Sequence, residues 1–502
     1  PHLIVNQARV LDYFAEAAAL GPGRIRPDYG VEFVGLSRDD ADEYPLAVRV
    51  RHVEGARAGE ERTIRAKFVV GCDGARSGVR EAIGRRHVGR FAAHAWGVMD
   101  VLVNTDFPDW RIKCAITSEA GNILHIPREG GYLSRMYIDL GEVPDTDNRA
   151  VRSTPIEEII RRANEILHPY SIDVKQVAWH SVYEVGHRVT DRFDDVEDGD
   201  GRTPRVFLTG DACHTHSAKA GQGMNVSMQD GFNLGWKLGA VLTGQSPETL
   251  LATYSAERQV VAQNLIDYDK QWSSLMAKKS AELADPDEMT RFYVDQAEFL
   301  YGFRTQYEPS MITGTPEHQA LAAGFPIGKR FKSYPVARVA DANFVQLGHH
   351  HRADGRWRLY AFADASGEAL ARFAAEVPDV VARFTPADAD VDAVFDVKLV
   401  LQDAWQDVDL GTIPPIFLPR TGSLGLVDYE KVYAAIAPRD CQPAAPKMAV
   451  GTDPDADIFD AREISRDGAM VLVRPDMYVA AVLPLDAVGE LEAFIAGALA
   501  SR

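Results

Sequence analysis

The chain has few cysteines, no long apolar run and no excess of positive charge. Its four cysteines, Cys72, Cys114, Cys213 and Cys441, are scattered through 502 residues without zinc spacing, which argues against a disulfide framework and fits a reducing compartment. No stretch of about 18 apolar residues occurs and no signal-peptide pattern opens the chain, so the expectation is a cytoplasmic protein without a membrane partner. The net charge of −19 argues against nucleic acid or an anionic membrane as partner. Anionic small molecules must then be drawn by local positive charge, for which Arg76, Arg80, Lys113, Arg128 and Arg135 are the candidates. Internal repeats and low-complexity tracts are also lacking. What remains, 46% hydrophobic and 25% charged residues, is the composition of a soluble globular protein long enough for two or three domains.

The most informative segment is Thr209-Gly-Asp-Ala-Cys-His-Thr-His-Ser-Ala-Lys-Ala-Gly-Gln-Gly-Met-Asn225, followed by a helical pattern from Val226 to Leu242. Val206-Phe-Leu208 reads as a buried strand, Gly210 as a sharp exit, and Asp211 as an acceptor where the strand stops, the usual ligand position in a parallel sheet. Gly221 and Gly223 let backbone approach a flat ligand, and a helix starting near Met224 and Asn225 aims free N–H groups at it. Such a site suits a flavin ring, whose reduced form is anionic. An ordinary strand, turn and helix would need the same glycines. Cys213, His214 and His216 also offer metal-ligating atoms, but this turn already serves the flavin reading and no metal is expected.

A second segment, Ala66-Lys-Phe-Val-Val-Gly-Cys-Asp-Gly-Ala-Arg-Ser-Gly-Val-Arg80, is another apolar strand running into Gly71, Asp73 and a basic helix start carrying Arg76 and Arg80. The two segments together resemble the paired motifs of the class A FAD-dependent aromatic hydroxylases, phenol hydroxylase branch. The resemblance implies FAD and NADPH as cofactors, with Asp211 on the ribityl hydroxyls and Asp73 and Arg76 serving FAD and the NADPH phosphates. Leu3-Ile-Val-Asn-Gln-Ala-Arg-Val-Leu-Asp12 resembles the family's strand-to-helix corner, which implies that Gln7 and Arg9 lie against FAD. Where family members commonly have proline, this chain has Ala218, which keeps the carbonyl placed near the substrate hydroxyl but loosens the turn. The Gly-x-Gly-x-x-Gly unit that cradles the ADP half does not open the chain, and the expectation is that roughly 130 residues precede Pro1.

The implied fold class is mixed α/β and α+β: a partial Rossmann-like FAD domain, an antiparallel-sheet substrate domain and a thioredoxin-like C-terminal domain. The expected boundaries are 1–88 and 191–265 for the FAD domain, 89–190 for the substrate sheet, 266–334 for a helical segment and linker, and 335–502 for the C-terminal domain. In the substrate sheet, Trp110 to Ile116 alternates as a strand carrying Lys113, Gly121-Asn122 turns, and Tyr132 to Leu140 returns with Tyr137 beside Leu133 and Arg135. The C-terminal order of strands at 356–362, 394–401, 469–474 and 478–483, with a helix near 368–375 and a final helix from 487, lacks Cys-x-x-Cys, so it has no redox role and fits dimerisation.

The resemblance further implies hydroxylation of a phenol by dioxygen through a C4a-hydroperoxyflavin. Lys113 directed into the pocket would pair with a substrate carboxylate, whereas a surface lysine on a strand edge has no such role. Tyr137 would hydrogen-bond a ring substituent or else be an ordinary half-buried strand tyrosine, and His2 would relay the phenol proton or else be a solvated end residue. The expected partners are a small phenolic aromatic acid, for which 3-hydroxybenzoate giving 3,4-dihydroxybenzoate fits the lysine, dioxygen, and a second copy of the chain as a homodimer. Two other readings stay open: a phenol 2-monooxygenase that needs no carboxylate, and a flavin-free scaffold or interaction fragment.

Overall fold

The computed structural model describes residues 4–143, 150–197, 199–217, 221–277, 285, 287–441 and 453–501. The chain divides into two units, residues 1–231 with 258–295, and residues 232–257 with 296–502. Among the described residues no helix is long and apolar enough to cross a membrane.

In the first unit, Val31–Arg38, Leu46–His52 and Glu61–Ala66 form an antiparallel meander. Val69–Gly71 pairs in parallel with Val206–Leu208, whose three residues are all buried, as an uninterrupted apolar run requires. A six-stranded sheet follows in the order His214–Thr215, Ile172–Thr190, His87–Thr105, Ser134–Glu142, Gly121–Pro127 and Cys114–Ser118. Its two 19-residue strands are antiparallel; at about 3.3 Å per residue each spans roughly 60 Å.

Alternation along these strands separates two chemistries. Met99, Val101, Ile123, Met136 and Ile138 are buried with Ile159, Ala163 and Ile166 of helix Ile156–Leu167. Gly97 permits this approach: a Cβ there would lie 2.9 Å from the Ile159 side chain. On the opposite face Val98 is in register with Tyr137 and Ser181, Asp100 with Arg135 and Trp179, and Trp96 with Tyr183.

Two local expectations change. Lys113 is outside the strand, which begins at Cys114 after a turn through Trp110 and Arg111, and the hairpin bends at Glu119-Ala120 rather than Gly121-Asn122. Residues 109–113 bend because a buried imidazole holds the Ile112 carbonyl, a contact that no periodicity reveals.

The second unit has a seven-stranded sheet in the order Asn343–Gln346, Pro335–Arg338, Val432–Ala435, Phe395–Leu401, Trp357–Phe362, Ala469–Val473 and Val479–Leu483. Trp357–Phe362, helix Glu368–Phe384 and Phe395–Leu401 make a parallel strand–helix–strand unit; the antiparallel pair 469–473 and 479–483 and helix Val488–Ala498 complete a thioredoxin-like arrangement. The first helix runs nine residues past the expected end at Ala375, through Pro378. Its buried stripe of Phe373, Val377, Val380, Val381 and Phe384 outweighs the proline penalty. A fully enclosed charge quartet also belongs to this unit: Lys237 and Arg474 both bind Glu257, at 2.8 and 2.6 Å, and Arg474 binds Asp476 at 2.6 Å.

Candidate active site

The two signature segments leave adjacent parallel strands at the same end. Leu208 is in register with Gly71, the Thr209 amide donates to the Gly71 carbonyl at 3.0 Å, and Cys72 Sγ lies 3.0 Å from Thr209 Oγ1. Asp73 and Asp211 therefore emerge beside one another, past the carboxyl ends of the strands, where open parallel sheets bind ligands. Asp73 Oδ2 accepts from the Val79 amide at 3.0 Å, which with Ser77 caps the short helix Gly78–Ala82. Arg80 is buried, with its guanidinium donating to the Ala212 carbonyl at 2.9 Å and the Ala75 carbonyl at 3.1 Å. The expected anion-attracting role of Arg80 is thus replaced by a clamp between the two motifs.

Beneath the loop 209–217 lie two carboxylates outside the signature segments. Asp230, fully buried on helix Gly223–Leu242, accepts from the Gly210 amide at 3.2 Å, His214 Nε2 at 2.8 Å and Arg258 Nε at 2.7 Å. Burial pushes its carboxyl up, but Arg258 and His214 outweigh that and hold it below the usual range. Cys213, His214 and Asp230 bring ligand atoms within 4.8 Å of one another, with Asp230 already engaged by Arg258. Asp269, also fully buried, accepts from the Ser217 amide and hydroxyl, both at 2.6 Å, and from His187 Nε2 at 2.8 Å. Neither stands out locally: Asp230 follows Gln229, and Asp269 lies between Tyr268 and Lys270 in a helix of mixed polarity. Two further contacts tie this loop to the large sheet. His214 and Thr215 are its edge strand, opposite Val189 and Arg188, and the Tyr183 hydroxyl donates to the His216 carbonyl at 2.9 Å. Burial, then Asp211 and Asp269, push the Tyr183 phenol up to about 12.

On the sheet face that carries Tyr183, Arg135 donates to both Asp100 oxygens at 2.7 and 2.8 Å and stacks over Trp179 at 5.3 Å. Its pKa is raised first by Asp100; burial opposes this and the neighbouring Tyr137 adds to it. Arg128 pairs with Glu129 at 3.0 Å and lies 3.8 Å from Asp100. Of the five candidate cations, Arg76 and Lys113 alone have no hydrogen-bond or ion-pair partner among the described residues. Lys113 remains exposed, yet the protein packed around it lowers its pKa by desolvation, with no carboxylate to offset that.

The turn before Lys113 is held by His125, which is fully buried. A carbonyl only accepts, so His125 Nδ1 carries the proton it donates to Ile112 O at 3.0 Å, and Nε2 accepts from Ser134 Oγ at 2.7 Å. Its ring also packs 4.3 Å from Trp110, and burial lowers its pKa, so it stays neutral.

Gln7 and Arg9 lie exposed on helix Gln7–Leu20, where Arg9 pairs with Asp12 at 3.6 Å, and no hydrogen bond joins them to the Asp211 loop among the described residues. His2 and Ala218 fall outside the described residues. The remaining groups fit a flavin. The Asp211 carboxylate is exposed and takes no hydrogen bond or ion pair from the described residues, which leaves it open to sugar-like hydroxyls. Gly221 has φ +65°, and at Gly223 a Cβ would lie 2.9 Å from the His216 ring, so both positions favour glycine where the 20-residue helix presents its N-terminal amides. Met224 and Asn225 lie in that first turn, half-buried.

Comparison with known proteins agrees with this chemistry. Residues 2–269 match the family described as FAD binding domain, and residues 305–502 match the phenol hydroxylase C-terminal dimerisation domain. The chain is 48% identical to the 3-hydroxybenzoate 4-monooxygenase of Comamonas testosteroni, over 98% of this chain and 78% of that protein. It is 34% identical to the FAD-dependent monooxygenase terD of Aspergillus terreus, over 97% and 78%. Among solved structures, aklavinone-11 hydroxylase in a ternary complex with FAD and aklavinone shares the fold at a TM-score of 0.61 and 20% identity, covering 93% of this chain and 73% of that one.

Proposed function

The chain belongs to the FAD-dependent aromatic hydroxylases that carry a phenol hydroxylase dimerisation domain, and on that premise we propose that it converts 3-hydroxybenzoate to 3,4-dihydroxybenzoate as a homodimer. One atom of dioxygen enters the ring, the other leaves as water, and NADPH supplies the two electrons. The chemistry supplied by bound FAD is acceptance of those electrons and activation of dioxygen. Asp211, the backbone from Gly221 to Asn225, Asp73 and Arg76 are its holding groups, with Gln7, Arg9 and Ala218 completing the set.

The observation that carries the substrate reading is Lys113, an exposed ammonium with no carboxylate partner among the described residues, set directly after the turn that His125 holds. An aromatic carboxylate satisfies it; an uncharged phenol leaves it unpaired. Tyr137 shares a sheet face with Asp100, Arg135 and Trp179, so its hydroxyl serves to orient the ring hydroxyl while Trp179 offers an aromatic wall. His2 accepts and passes on the phenol proton.

The test is turnover of 3-hydroxybenzoate and of phenol by the wild type and Lys113→Met. A charge-assisted hydrogen bond is worth about 1.5–3 kcal/mol, so the variant's KM for 3-hydroxybenzoate should rise roughly 10- to 100-fold with little change towards phenol. An unchanged KM for 3-hydroxybenzoate rejects the carboxylate role.

A further inference from the structure

We propose that the hairpin of Arg420–Thr421 and Leu426–Val427 anchors the contact between two copies of this chain. The proposal rests on the homodimer reading and adds the place and chemistry of the contact. Within residues 305–502, the large hydrophobic side chains left exposed among the described residues are Val391 at 40%, Leu424 at 81%, Leu426 at 65% and Tyr429 at 49%. Single exposed apolar residues are ordinary on any surface. Here all four belong to one feature. Arg420 is in register with Val427 and Thr421 with Leu426. Gly422 and Gly425 take φ of +71° and +60°, so the turn between them is tight and carries Leu424 at its tip. Asp390 Oδ2 accepts from the Gly422 amide at 2.9 Å, which brings the neighbouring Val391 beside the turn, and Tyr429 follows directly after the second strand.

The second copy is favoured as occupant on two grounds. This region matches a dimerisation domain, and the hairpin's two short strands pair with no other described strand, so its edges are open. Charge selects the kind of contact. Two chains of net charge −19 repel, so association needs an apolar anchor rather than an ionic one. In a two-fold contact the same patch meets itself, and exposed Arg420 and Asp390, flanking the apolar tip, supply opposite signs that pair across the axis.

The experiment is sedimentation velocity on the full chain over a range of concentrations, for the wild type, Leu424→Asp and Leu424→Asp/Leu426→Asp. A dimeric wild type is expected, with the double variant at least about 100-fold weaker in self-association and unchanged in its circular dichroism and urea midpoint. The wild-type contact should tighten as salt screens the repulsion. A second variant gives a positive readout: Ser423→Cys, beside the tip, should form a disulfide-linked pair under mild oxidation. A dimeric wild type whose double variant dimerises equally well, or whose Ser423→Cys chain forms no linked pair, overturns the hairpin assignment. A wild type that stays monomeric throughout overturns the homodimer reading beneath it.

Discussion

The Arg80 guanidinium donates to the carbonyl of Ala212, 132 residues further along the chain, so the first signature segment holds the second in place. A side chain with the look of a phosphate ligand is instead buried between two carbonyl oxygens, and burial lowers its pKa. Arg80→Met should leave both carbonyls unsatisfied, costing about 1–3 kcal/mol of stability, and should weaken FAD binding about 10-fold by freeing the Asp211 turn. Urea unfolding and quenching of flavin fluorescence on titration check the two effects separately.

Asp230→Asn should be more damaging. It leaves the Arg258 guanidinium buried without its carboxylate and removes the acceptor of His214. Loss of one partner of a buried ion pair costs about 3–5 kcal/mol. A urea midpoint within error of the wild type would show that the Arg258 charge finds another acceptor.

His125→Gln tests whether the turn before Lys113 depends on the imidazole. The variant should raise KM for 3-hydroxybenzoate about 3- to 10-fold, through the loss of one buried hydrogen bond, with kcat and phenol turnover nearly unchanged. Equal losses on both substrates would mean that His125 supports the whole sheet rather than the Lys113 turn.

Acid should weaken the fold in the range set by His87. Burial, reinforced by Arg80 and Arg188, lowers this imidazole from 6.5 to about 4. Above pH 6.5 the ring is neutral in both folded and unfolded chains; below it the unfolded chain takes up the proton first, and stability falls until the folded pKa near 4 is passed. The loss amounts to at most about 3 kcal/mol. His87→Gln should flatten the dependence of the urea midpoint on pH between 6.5 and 4.

Glu257→Gln should destabilise the second unit by about 3–5 kcal/mol, because Lys237 and Arg474 then share a neutral acceptor in a fully buried setting. Calorimetry should show one transition moving to lower temperature.

How far the sequence carried can be judged from particular residues. The strand exits at Gly71 and Leu208, the helix after Gly221 and the strand–helix–strand order near the C-terminus were legible because each follows from local spacing and backbone need. The role of Arg80 is not legible, because a basic residue at a helix start looks the same whether it meets a phosphate or a buried carbonyl. Asp230 and Asp269 went unnoticed because their partners, Arg258, His214, His187 and Ser217, lie 16 to 82 residues away. The Lys113 turn is hidden because Trp110 to Ile116 alternates like a strand, and alternation does not register a hydrogen bond to Ile112 from another strand.

Strand Ile172–Thr190 meets the loop that follows Leu208 at Arg188 and Val189 and carries Trp179 and Tyr183 within the same run of residues. Because side chains alternate with a period of two, one inserted or deleted residue between these points would turn either the aromatic pair or the loop contact to the wrong face. An engineer seeking new substrates should therefore find side chains along this strand easier to vary than its length.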